Sequence, residues 1–157
     1  LKLHRIFDDP AIVLKKELLD IPIWGAFLAR IDPVAIDRAQ GKEAMRQVID
    51  GAKRIKDQGR PIVIFPQGTR VWPYQTPKDK PYKMGVARIQ EETGMTIVPM
   101  ALNSGMFWPR EGWMKRGGTC VFEFLPPIHA SGRPPADVLK EIETVLEEAS
   151  DRLQQNA

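Results

Sequence analysis

Cysteine is almost missing from this 157-residue chain: Cys120 stands alone, which excludes an internal disulfide and a cysteine-rich metal site and implies no oxidising compartment. Histidine is nearly as scarce, with only His4 and His129. No glycine-rich phosphate loop and no His/Cys cluster at metal-ligand spacing is present. Long apolar runs are absent too. The longest uncharged stretch, residues 93–109, has 17 residues and is interrupted by Pro99, Asn103, Ser104 and Gly105, short of the roughly 18 apolar residues a membrane-spanning helix needs. There is no internal repeat, low-complexity tract or Gly/Ser linker, and the 14 prolines and 12 glycines are scattered. That excludes collagen-like, coiled-coil and disordered classes. The first residue is Leu1 instead of Met, and further chain upstream is expected.

What is there reads as one globular domain over residues 1–157, with 43% hydrophobic and 27% charged residues. Its charge is unevenly divided. From Asp137 onward six acids face two bases, a net of −4, which leaves +7 on the rest of a chain whose total is +3. A basic body favours anionic partners such as phosphate esters or a lipid headgroup surface. No nucleic acid is expected, because the total charge is modest and no nucleic-acid-binding motif appears.

Three short β-branched runs, residues 11–14, 62–65 and 96–101, read as buried strands, and residues 119–124 alternate as an edge strand would. Helical periodicity is clearest over residues 41–58, where Met45, Val48, Ile49, Ala52 and Ile55 share a stripe. A second helix is expected over residues 82–92. A third follows Pro134-Pro135, with Val138, Leu139, Ile142, Val145, Leu146, Ala149 and Leu153 on one face. Strands alternating with helices predict an α/β fold with a mainly parallel central sheet flanked by helices. Ligands in such folds sit beyond the carboxyl ends of the strands.

The segment Ile62 to Arg70 runs a buried strand into a turn at that position. Gly68 permits close backbone approach, Thr69 offers a hydroxyl, and Arg70 offers a planar fork for carboxylate or phosphate. An ordinary turn with a solvated arginine reads equally well from spacing alone. Lys83 stands at an expected helix start, where an anion is also favoured.

Four blocks, Val13 to Gly25, Pro33 to Arg38, Phe65 to Arg70 and Ile97 to Met100, resemble in order and spacing those of the glycerolipid acyltransferases, chiefly the bacterial 1-acylglycerol-3-phosphate enzymes. The resemblance covers roughly residues 10–128. It implies a glycerol-phosphate-acyltransferase-like domain that moves a fatty acyl group from a thioester on coenzyme A or acyl carrier protein to the hydroxyl of lysophosphatidate. Arg38, Gln67, Gly68, Thr69, Arg70 and Lys83 would then hold the acceptor's phosphate, with no metal and no cofactor. The third block of the family usually has Glu where this chain has Gln67. Its catalytic pair, a His followed after four residues by an Asp, is expected upstream of Leu1. His4 and Asp9 fit that formula but abut the first strand, where a helix should intervene.

Two aromatic clusters bear on location. Ile21, Ile23, Trp24, Phe27 and Leu28 suit either core packing or a membrane interface. Phe107, Trp108 and Trp113, beside Arg110, Lys115 and Arg116, are the better interface candidates. An anionic membrane surface is therefore an expected partner, with the protein on the cytoplasmic face, peripheral or anchored through the expected upstream chain. The alternative is a catalytically silent phospholipid-binding module of the same fold.

Overall fold

The computed structural model describes residues 6–108 and 115–155, and the side chains of Arg38 and Lys42 lie outside the described set. Ala11–Lys15 (β1) is the central strand of a three-stranded sheet, paired in parallel with Val34–Ile36 (β2) on one side and Ile62–Val63 (β3) on the other. Its run Ala-Ile-Val-Leu is what a strand covered on both faces requires. Trp24–Arg30 (α1) lies in the crossover from β1 to β2, and Lys42–Asp57 (α2) in that from β2 to β3.

α2 packs one face of the sheet. Val48, Ala52 and Ile55 join Ala11, Val34 and Ile89 in a single cluster, and burying an isoleucine such as Ile55 contributes roughly 1.5–3 kcal/mol. The close approach depends on Gly51, where an added Cβ would come within 2.9 Å of the Val34 side chain. Gly85–Thr93 (α3) follows the long connection after β3 and stops at Gly94, whose φ of 67° is the left-handed conformation that glycine adopts without strain. Pro135–Gln155 (α5) lays Val138 and Ile142 against Val86, Ala87 and Ile128. Met100–Leu102 (β4) and Phe122–Phe124 (β5) form a separate antiparallel pair, with the single turn Ser104–Phe107 (α4) between them.

The expected α/β architecture is present, with shifted bounds. The strand expected over residues 96–101 is confined to β4, while Ile97 makes an isolated bridge to Ile128. The helix expected from residue 82 starts at Gly85. Residues 82 and 83 lie ahead of the helix, where the Tyr82 hydroxyl bonds α5 and Lys83 N bonds the turn after β3. A 3-10 turn, Lys16–Leu18, and α1 were not anticipated.

Core packing fails for the first aromatic cluster. Ile23 is 78% exposed, Trp24 59% and Phe27 56%. The reason is local geometry. Ile23 sits at φ 67°, ψ −55° in a strained three-residue turn closed by a 2.7 Å bond from Trp24 N to Pro22 O, so α1 touches the body through little more than Gly25. A Cβ on Gly25 would come 1.9 Å from the Leu19 carbonyl oxygen.

Candidate functional site

The three parallel strands point their carboxyl ends the same way, and each delivers one segment to a common edge. β2 ends at Ile36 in register with Lys15, the last residue of β1, and the chain then turns through Asp37 into the 3-10 helix Arg38–Gln40. Asp37 caps that turn by accepting from Ala39 N at 3.1 Å, and its other oxygen accepts from Gln40 Nε2 at 2.8 Å and lies 3.7 Å from Lys16 Nζ. On the other side of β1, Val63 pairs with Ile12, and the chain runs on through Ile64 and Phe65 into the turn carrying Gln67, Gly68, Thr69 and Arg70. β2 and β3, the strands that lead into these segments, lie two strand spacings apart, about 10 Å, with β1 between them.

The turn is tightened by a 2.9 Å bond from Gly68 N to Phe65 O, and Gly68 takes a φ of 65°, which explains the glycine. Thr69 and Arg70 are exposed. The chain leaves through Trp72 and Tyr74, whose rings stack 6.1 Å apart. It is turned back where Thr76 N and Oγ1 donate to Asp79 Oδ2 at 2.9 and 3.0 Å. Those bonds, the backbone one foremost, hold the Asp79 carboxyl below its ordinary range. Lys83 thereby returns to the turn, with its N–H donating to Pro66 O at 2.8 Å. Its side chain is exposed.

Five of the expected positions, Gln67, Gly68, Thr69, Arg70 and Lys83, therefore stand together, and the Arg38 position lies on the same edge. The Arg38 side chain lies outside the described set, as does all of His4. Asp9 is placed elsewhere. It precedes β1 at the sheet's amino edge, where the Arg60 guanidinium bonds its carboxylate at 2.8 Å and its carbonyl at 3.1 Å. His129 is an exposed loop residue with Nδ1 3.2 Å from Thr96 Oγ1. Lys15 and Lys16 went unremarked in the sequence, yet both are exposed cations at the end of the central strand, between the two flanking segments. Only knowledge that β1 is central would have singled them out. Among the described residues, no group of three or more His, Cys, Asp or Glu side chains is arranged to hold a metal ion.

Three comparisons place the chain among known proteins. The sequence profile of the acyltransferase family matches residues 1–103. The chain belongs to the acyltransferase family. It is 36% identical over 133 residues to the 1-acyl-sn-glycerol-3-phosphate acyltransferase of Pseudomonas aeruginosa, which covers 85% of the chain and 51% of that protein. The protein of the same description from Saccharomyces cerevisiae is 27% identical over 156 residues, 98% of the chain and 51% of the relative. The acyltransferase chain thus spans about half the length of these curated relatives. Its fold is similar to the crystal structure of the 1-acyl-sn-glycerophosphate acyltransferase of Thermotoga maritima, with a TM-score of 0.70 at 21% identity over 93% of this chain and 57% of that one.

The second aromatic cluster is partly described. Trp108 is 59% exposed, with Lys115 Nζ 3.9 Å above its ring. Phe107 is half-buried and lies so close to Gly118 that an added Cβ there would come 2.0 Å from its ring. Arg110 and Trp113 lie outside the described residues. Among the described residues, no helix is long and apolar enough to cross a membrane.

Proposed function

We propose that this acyltransferase transfers a fatty acyl group from a thioester on coenzyme A or acyl carrier protein to the free hydroxyl of lysophosphatidate, giving phosphatidate. The observation that carries this reading is the convergence of the Arg38 turn, the Gln67–Arg70 turn and Lys83 on one edge of the sheet, on either side of β1. Charge-assisted hydrogen bonds from Arg70 and Lys83 to the acceptor's phosphate contribute roughly 1.5–3 kcal/mol each, enough to select a phosphate headgroup over a neutral one. Gly68 and Thr69 let the turn approach the headgroup, and the turn after β2 brings position 38 to the same edge.

In the chemical step the lysophosphatidate oxygen attacks the thioester carbonyl while a neutral imidazole takes its proton, and a carboxylate fixes that imidazole's tautomer. The C–S bond breaks, and the thiol leaves with the proton returned by the imidazolium. This reading assigns that base outside the described residues, since Asp9 is held by Arg60 at the opposite edge. The acyl donor brings its own activated bond, so the reading invokes no metal or cofactor.

The substrates are lipids, and the exposed Ile21, Ile23, Trp24 and Phe27 offer the protein an apolar surface leading off the site edge, with Lys15 and Lys16 at its root. Peripheral attachment to an anionic membrane at its cytoplasmic face follows from this reading. The test is thiol release from acyl-coenzyme A or acyl carrier protein by protein that includes the stretches its relatives have beyond this span. Release that requires lysophosphatidate is expected. Release without an acceptor would indicate a thioesterase, and binding without release would indicate a silent lipid-binding module.

A further inference from the structure

Residues 80–84 form a strap leading from the Asp79 turn to the start of α3, and three bonds fix its course. Gln67 Nε2 donates to Lys80 O at 3.1 Å, Lys83 N donates to Pro66 O at 2.8 Å, and the Tyr82 hydroxyl donates to Glu147 Oε1 on α5 at 2.7 Å. Burial, then the hydrogen bond to Glu147 and its charge, push the Tyr82 phenol well above its ordinary range, so the hydroxyl keeps the proton it donates. The outer side of the strap is thus tied to the acidic helix. Its inner side is tied to the turn through the Gln67 side chain and the Pro66 carbonyl.

The requirement at position 67 follows from hydrogen-bond chemistry. Lys80 O can only accept, so its partner must donate, which an amide does and an ionised carboxylate of the same size does not. Gln67 is half-buried, with its nitrogen turned to the strap. We infer that Gln67 is a positioning residue, whose amide pins the strap so that Lys83 stands beside the Gly68–Arg70 turn, and not itself a ligand of the phosphate. The inference rests on the reading of this edge as a phosphate grip. Its effect on an acceptor should therefore pass through Lys83, and the strap should loosen when the amide donor is lost even with no ligand present.

Two measurements on the whole chain separate these claims. The first is amide hydrogen exchange without ligand in Gln67→Glu, which puts an acceptor opposite Lys80 O, and in Gln67→Met, which removes the donor without adding charge. In both variants exchange over residues 80–84 should quicken about tenfold while α2 stays protected. The second is calorimetric titration with short-chain lysophosphatidate. Gln67→Glu should weaken binding about tenfold on its own and less than about twofold in a Lys83→Ala background. Unchanged exchange over residues 80–84 in both variants would overturn the inference, as would losses from Gln67→Glu and Lys83→Ala that multiply fully. A wild-type chain that binds no lysophosphatidate would overturn the phosphate reading by itself, while the exchange data would still judge the strap.

Discussion

At the amino edge of the parallel sheet, Arg60 has a side chain only 14% exposed and bonds the carboxylates of Asp9 and Asp32 and the Ile31 carbonyl, tying together the approaches to β1, β2 and β3. Arg54 adds a second guanidinium to Asp32. At the carboxyl edge, Lys15, Lys16, Arg70 and Lys83 are all exposed, and Asp37 is turned into its own loop and towards Lys16. Both edges also hold strained backbone. Asp9 and Asp32 have φ of 41° and 45° and are fastened by Arg60, whereas Ile23, beyond the carboxyl end of β1, has φ 67° with its side chain in solvent. One edge uses its charges and strain to hold the sheet, and the other keeps its cations at the surface, where a ligand can reach them.

The largest effect should come from Arg60→Ala. It removes bonds to two carboxylates, two backbone carbonyls and the Gln58 amide oxygen and should lower stability by about 3 kcal/mol, the carboxylates being partly solvated. A drop in melting temperature of about 6–12 °C is the expected reading. Lysophosphatidate affinity below the transition should be unchanged, and an affinity loss matching the stability loss would break the division between the edges.

Ile23→Gly acts at the other edge with the opposite sign. Little burial is lost at so exposed a residue, and relief of the left-handed strain should raise stability by about 1 kcal/mol despite the freer unfolded chain. Binding to vesicles containing phosphatidylglycerol should fall about tenfold in the same variant. Vesicle sedimentation and thermal unfolding read the two effects, and a variant that is both less stable and equally bound would refute the membrane role of α1.

The smallest effect is a pH dependence. The hydrogen bond from Arg54, and the charges of Arg54 and Arg60, hold the Asp32 carboxyl below its usual range against some desolvation. A group depressed in the folded state stabilises it above the ordinary carboxylate pKa, about 3.9, and that stability is lost as pH falls through the lower folded value. Asp32→Asn should therefore flatten the acid limb of the unfolding curve below about pH 4 and leave the neutral plateau little more than offset.

Much of this was legible in the residues. The apolar run of β1 and the stripe Val48, Ala52, Ile55 announce a covered strand and its covering helix because both follow from simple periodicity. The turn Gln67–Arg70 was legible because a strand that ends in Pro, Gly and Arg must expose them at the sheet's edge. What was hidden depends on contacts distant in sequence. Asp9 fits the spacing of the family's catalytic pair, but its bond to Arg60, fifty-one residues on, is invisible in the sequence. Lys15 and Lys16 gain meaning only from the strand order, with β1 in the middle. Trp24 and Phe27 suited core packing as well as an interface, because large apolar residues are usually buried, and nothing local reveals that the turn at Ile23 leaves α1 in solvent.

The most direct test of the phosphate grip is a pair of titrations, with short-chain lysophosphatidate and with the matching monoacylglycerol, on the wild-type chain, Arg38→Ala and Arg70→Ala. The account predicts that the wild type prefers the phosphate-bearing lipid by about thirtyfold or more and that either substitution cuts that preference at least about tenfold. Equal wild-type affinity for the two lipids, or a preference that survives both substitutions, would contradict it.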